Sequence, residues 1–230
     1  CLSRGLGDVY KRQTRNWSVQ HPIIAANMDT ICEEDMAIAM WVSGGVGVLH
    51  RFMPVKDQAK QVNVVYDVCG MGQPIAAAIG TDHDMLNRAN ACVEAGANIL
   101  VLDIAHGHSD HVLQAIGQLK NTFDDVDIVA GNIATRAGAE DLVNAGVDAV
   151  KVGVGPGGLC TTRVVAGTGV PQLTAIMDCA QLPLLPVPII ADGGTKSSGD
   201  IAKALAAGGN TVMLGSLLAG TKETPGATVS

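Results

Sequence analysis

Cys160 is the residue best placed to do chemistry, because it stands in the run Gly153-Val154-Gly155-Pro156-Gly157-Gly158-Leu159-Cys160-Thr161-Thr162-Arg163. Glycine density of this kind lets backbone amides and carbonyls face a ligand, and a thiol among such donors is a candidate nucleophile. The alternative for any cysteine is a small hydrophobe beneath a loop, and that reading is kept for Cys32, Cys69, Cys92 and Cys179, which fall in or beside helical stretches. Asp192-Gly193-Gly194 and Gly215-Ser216 each follow an apolar run. They suit a phosphate seated on amide groups, or else tight turns with Asp192 as a helix cap. The densest polar cluster is Asp103-Ile104-Ala105-His106-Gly107-His108-Ser109-Asp110-His111. Its His-x-His spacing invites comparison with a metallohydrolase, but zinc needs three or four convergent ligands and no matching set stands elsewhere, so a catalytic metal is not expected. Asp103 either binds a ribose diol or caps the loop that follows it.

These residues need a scaffold that delivers them to one place. Eight short β-rich runs end in or near them: Pro22 to Asp29, Val46 to His50, Ile75 to Gly80, Ile99 to Ala105, Asp127 to Ile133, Ala149 to Gly155, Pro188 to Gly194 and Thr211 to Leu217. Between them lie Ala-rich amphipathic stretches such as Asp82 to Ala95, Asp110 to Asn121, Thr135 to Ala145 and Ser198 to Ala207, three of which close on Ala-Gly. Runs such as Ile99-Leu100-Val101-Leu102 are apolar on successive residues, as parallel strands buried on both faces require. Strand starts recur at 22 to 29 residues, with one interval of 39 that holds Cys160. The expected fold is therefore α/β, a (β/α)8 TIM barrel, C-terminally truncated after the eighth strand. A doubly wound open sheet is the structural alternative. In a barrel the carboxyl ends of the strands and the loops after them carry the chemistry, and every residue given a chemical role above lies there.

The 230 residues carry 15 Lys and Arg against 22 Asp and Glu, a net charge of −7, with 47% hydrophobic and 16% charged residues. That composition excludes a disordered chain, and the absence of a basic cluster argues against a nucleic-acid binder. No apolar run approaches the ~20 residues of a membrane helix. Six cysteines without a C-x-x-C pair read as reduced thiols. Residues 1–13 match nothing in the periodic pattern and are expected to be a non-native or disordered segment, leaving 14–230 as a single catalytic barrel.

The run GVGPGGLCTTRVVAGTGVPQ at 153–172 resembles the active-site loop of the IMP dehydrogenase and GMP reductase family. AANMDT at 25–30, LDIAHGHSD at 102–110, AGNIAT at 130–135, IADGG at 190–194 and GSLLAGTKETPG at 215–226 support the likeness. The resemblance implies a purine nucleotide with its base over Cys160 and beside Met28, its ribose on Asp192, and its phosphate on Gly193, Gly194, Gly215 and Ser216. Cys160 would attack C2 of the purine, hydride would pass between that adduct and a nicotinamide, and water or ammonia would complete the exchange with help from Thr162. Asp103, Asn132 and Gly153 would serve the cofactor, and the carbonyls of Gly155, Gly157 and Cys160 a potassium ion. Family likeness further implies purine biosynthesis in the cytoplasm by a homotetramer.

Some residues depart from the family pattern. Gly158 stands where the family usually has a phosphate-contacting serine. Only Arg51 to Pro74 separates the second and third strands, so the regulatory cystathionine-β-synthase-type pair is not expected, nor does the sequence reach the flap with the Arg-Tyr pair that activates water in the dehydrogenase. VVAGTGVPQ, AHGHS and GSLLAGTKETPG lie nearer the dehydrogenases, whereas AANMDT lies nearer the reductase. Asp178 falls where the reductase has a glutamate for the departing amine, and its aspartate is closer to the dehydrogenases. The preferred expectation is an NAD-dependent IMP dehydrogenase. An NADPH-dependent GMP reductase and a non-catalytic nucleotide-binding barrel are the alternatives.

Overall fold

The computed structural model describes residues 12–158, 160, 162–182 and 187–226. Eight strands close into a barrel in chain order: β1 (Ile23–Ala25), β2 (Val46–Leu49), β3 (Ala76–Ile79), β4 (Ile99–Asp103), β5 (Asp127–Ile133), β6 (Ala149–Val152), β7 (Ile189–Asp192) and β8 (Thr211–Leu214). All pairings are parallel, and β1 meets β8 through Ile23↔Val212, Ile24↔Met213 and Ala25↔Leu214. The expected barrel is what forms. A helix packs after each of the first seven strands: α1 (Glu34–Val42), α2 (Val55–Cys69), α3 (Met85–Glu94), α4 (Asp110–Thr122), α5 (Arg136–Asn144), α6 (Gln172–Ala180) and α7 (Ser198–Ala206); a single helical turn, Thr162–Val165, also precedes α6 in the connection after β6. Among the described residues β8 is followed by turns and no helix.

The period of two along each strand sorts side chains into two cores. Leu100, Leu102, Ile128 and Ala130 point outward and pack with the helices. Ile24, Val46, Val48, Ile99, Val101, Val129, Ile190 and Met213 fill the barrel itself. Ala95-Gly96, Ala145-Gly146 and Ala207-Gly208 end α3, α5 and α7 with glycine φ of 113°, 98° and 114°, the left-handed caps the sequence suggests.

The floor of the barrel is closed by residues ahead of β1. Trp17 and Val19 pack against the inner core. Asp127, at the start of β5, accepts hydrogen bonds from the Thr14 hydroxyl, the Asn16 amide at 3.2 Å and Asn16 Nδ2 at 2.6 Å. Of the segment 1–13, residues 1–11 lie outside the described residues. Gln13 is buried, and its amide donates to the Trp17 carbonyl at 3.0 Å. Pro183 and Pro186, between α6 and β7, also lie outside the described residues.

Candidate active site

Alternation along the strands decides what reaches the mouth. Ile99 and Val101 face inward on β4, so Asp103 does too; Ala149 brings Lys151 inward on β6, and Ile190 brings Asp192 inward on β7. The register places Asp103 beside Gly131, Gly131 beside Lys151, and Asp192 beside Met213. A Cβ on Gly131 would come within 2.3 Å of the Lys151 carbonyl, so the bare glycine is what lets the backbones of β5 and β6 approach this closely at Lys151.

Lys151 ties the mouth together. Its ammonium, 3% exposed, donates to Asp192 Oδ2 at 2.7 Å and to Asn132 Oδ1. Asn132 Nδ2 in turn donates to Asp192 Oδ2 at 2.8 Å and to the Gly153 carbonyl at 2.7 Å. Burial alone would pull the Lys151 ammonium down, but the facing carboxylates of Asp192 and Asp103 overcome it and hold the group above the ordinary lysine value. Gln172, at the start of α6, clasps the ends of β6 and β7 by donating to the carbonyls of Val152 at 2.8 Å and Asp192 at 3.1 Å. On the opposite wall Arg51 lies over the Phe52 ring at 5.2 Å, with Nε 3.6 Å from Asp103 Oδ2 and Nη1 3.5 Å from Asp82 Oδ2.

Cys160 lies in the long connection after β6. Its thiol is exposed, its amide donates to the Gly157 carbonyl at 3.1 Å, and its Sγ is 3.3 Å from Thr162 Oγ1. The Thr162 hydroxyl, followed by backbone amides at Thr162 and Gly155, holds this thiol below the ordinary value against the opposing pull of burial and Asp192. Elsewhere burial dominates: Cys92 is pushed up to about 11 and Cys179 to about 12, with Cys32 and Cys69 also raised. The four are buried and Cys160 is exposed.

Two cavities open at the mouth. The first, of about 300 Å³, is lined by Met28, Gly157, Gly158, Cys160, Asp192, Gly193, Gly194, Thr195, Lys196, Gly215 and Ser216 together with Ala26 and Met213. The second, of about 350 Å³, is lined by Asn27, Asp29, Phe52, Asp103 and Lys151, and shares Ala26, Met28, Asp192 and Met213 with the first. Thus the residues expected to hold base, ribose and phosphate converge with Cys160 on one hollow, and Asp103 faces the adjoining one. Asn132 and Gly153 line neither cavity. They brace Asp192 and the start of the cysteine loop from behind, the Gly153 amide donating to Ile133 O at 2.8 Å.

Two of the three histidines of the His106 cluster are engaged by the scaffold: His108 Nε2 lies 2.7 Å from Asp141 Oδ2 and His111 Nε2 lies 3.1 Å from the Thr81 carbonyl. Asp178 is not at the mouth. Its carboxylate accepts the Arg136 amide at 2.8 Å in the first turn of α5, next to the Thr135 cap, and it lines neither cavity. Lys151 and Lys196 are the site residues that the sequence reading leaves without a role. The signal for Lys151 was present, a lysine two residues beyond an inward alanine in the apolar run Ala149-Val150-Lys151-Val152.

The family described as IMP dehydrogenase / GMP reductase domain matches residues 6–230. The chain is 33% identical to inosine-5'-monophosphate dehydrogenase of Nitrosopumilus maritimus (strain SCM1) over 346 aligned positions, covering 97% of this chain and 73% of the relative. It is 52% identical to that of Aquifex aeolicus (strain VF5) over 187 residues, covering 80% and 38%. With that of Staphylococcus aureus (strain Mu50 / ATCC 700699) it shares 59% over 186 residues, covering 79% and 38%. The chain therefore spans under two fifths of the length of these last two relatives.

Proposed function

The chain belongs to the IMP dehydrogenase and GMP reductase family, and from that premise we propose that it oxidises IMP to XMP through a covalent adduct on Cys160. One observation carries the reading. The exposed thiol, lowered by Thr162, opens onto a cavity whose other wall is Asp192-Gly193-Gly194 and Gly215-Ser216.

In this reading the amides of Gly193, Gly194, Gly215 and Ser216 seat the nucleotide phosphate, Asp192 accepts from the ribose hydroxyls, and Met28 flanks the base. Lys151 and Asn132 fix the Asp192 carboxylate, so the sugar meets an acceptor that is already oriented. Cys160 forms the sulfur–carbon bond at C2 as the hydrogen on that carbon leaves with its electron pair. Water then adds at C2, the sulfur–carbon bond breaks, and the thiolate is restored with release of a proton. Thr162 stabilises the thiolate before attack and after release.

A nicotinamide dinucleotide, when bound, supplies the acceptor for that hydride. The second cavity suits its nicotinamide riboside, since the Asp103 carboxylate faces it and its walls are continuous with those around the purine. NAD rather than NADP belongs to the dehydrogenase reading. In the same reading the carbonyls of Gly155, Gly157 and Cys160 would hold a potassium ion, which would order the cysteine loop. The Gly157 carbonyl, already accepting the Cys160 amide, keeps one lone pair for a cation. Homotetrameric assembly and a cytoplasmic setting follow from the same proposal. Among the described residues no helix is long and apolar enough to cross a membrane.

Incubation with IMP and NAD tests the proposal. NADH absorbance, XMP formation and a mass adduct on the Cys160 peptide are expected, all lost in Cys160→Ala. Consumption of NADPH with release of ammonia from GMP would establish the reductase instead, and failure to form any adduct would leave a binding barrel.

A further inference from the structure

The phosphate end of the first cavity combines a missing group with an available one. Gly158 carries no hydroxyl, and a Cβ built on it meets nothing within 4 Å, so this corner of the wall is open. Across the same cavity, Lys196 is the only basic residue among the described residues that line it. Its backbone amide donates to Asp200 Oδ2 at 3.1 Å, but no described residue engages its ammonium. The acids nearby are already occupied: Asp200 by the Ser197 hydroxyl at 3.0 Å and by Lys203 at 3.3 Å, and Asp192 by Lys151 and Asn132. A phosphate dianion resting on these amides would have the hydroxyls of Thr195 and Ser216 in the same wall but, without Lys196, no countercharge.

We infer that Lys196 supplies the charge that holds the substrate's 5'-phosphate, in place of the hydroxyl that Gly158 lacks. This rests on the nucleotide reading of the cavity, and it makes phosphate recognition here a charge contact where a neutral hydrogen bond is usual. Such a contact at an exposed position weakens with salt, whereas a hydroxyl contact does so far less.

Calorimetric titration of the full chain with IMP, at low and at high sodium chloride, reads the inference. Lys196→Gln weakens IMP binding about tenfold at low salt, the value of one charge-assisted hydrogen bond at an exposed site, and flattens the salt dependence. Gly158→Ser, for which there is room, tightens wild-type binding, and in its presence Lys196→Gln costs less than it does alone, because both groups serve one phosphate. Melting curves verify that the variants are folded. If Lys196→Gln binds IMP within twofold of wild type with an unchanged salt slope, or if the two substitutions act additively, the inference is wrong. If the wild-type chain binds neither IMP nor GMP, the nucleotide reading itself falls.

Discussion

Replacing Lys151 with methionine separates the geometry of the mouth from its chemistry. Methionine keeps most of the buried alkyl volume, so no large cavity opens, while the ammonium that bridges Asp192 and Asn132 is removed. Deleting one partner of a buried ion pair costs about 3–5 kcal/mol, because the other charge stays behind unpaired. The Asp192 side chain is 21% exposed and keeps the Asn132 amide at 2.8 Å, so the lower end, about 3 kcal/mol, applies. For a chain of this size that corresponds to a fall in melting temperature of roughly 6–12 °C. The pH dependence follows from the raised lysine. A group held above its unfolded value contributes fully below that value and loses its contribution as pH rises through the folded one. Wild type and variant should therefore differ by a constant amount from about pH 6 to about pH 9 and converge only on the alkaline side. Scanning calorimetry across that range measures both quantities. Adding Asp192→Asn to Lys151→Met should recover part of the loss, since the stranded carboxylate is then gone. A drop below about 2 °C at neutral pH, or strict additivity in the double variant, would refute the account of Lys151 as the tie across the mouth.

Alkylation of Cys160 by iodoacetamide should proceed at lower pH than alkylation of a free thiol. Thr162→Val should move that profile upward, as read by peptide mass, and coincident profiles would remove Thr162 as the cause. The buried Cys32, Cys92 and Cys179 should stay unmodified while the chain is folded. Asp178→Ala should cost about 1 kcal/mol through loss of its hydrogen bond to the Arg136 amide at the start of α5 and leave turnover intact. A large fall in turnover without a fall in melting temperature would return that carboxylate to the active site.

The sequence made the barrel legible because closed parallel strands are buried on both faces and so appear as bare apolar runs at βα spacing. β5, read as Asp127 to Ile133, has those bounds in the structure. Other strands are shorter than read: Pro22 to Asp29 contracts to Ile23–Ala25, because the chain turns out of the ladder there, the Met28 amide donating to the Ala26 carbonyl at 2.8 Å, and so delivers Asn27, Met28 and Asp29 to the mouth. For α1, α2 and α6 the reading gives no bounds, only a helical setting for Cys32, Cys69 and Cys179. In α1, Glu34–Val42, apolar residues occupy almost every position after the first two, which erases the helical period. Asp178 shows the complementary failure. The resemblance singled it out by alignment with a reductase glutamate, but that does not say which face of α6 it occupies, and that face meets α5. Lys151 was hidden by its strand, since one charge in an apolar run gains meaning only when the alternation tells which side it faces.

The two hollows at the mouth share Ala26, Met28, Asp192 and Met213 as a common ridge. A synthetic molecule laid across that ridge, with one arm in each hollow, would surrender its rigid-body freedom once while gaining two footholds, so its grip would multiply where that of two separate guests only adds. The same ridge makes any change at Met28 or Met213 a change to both guests at once, which sets how narrowly such a molecule can be tailored to this chain.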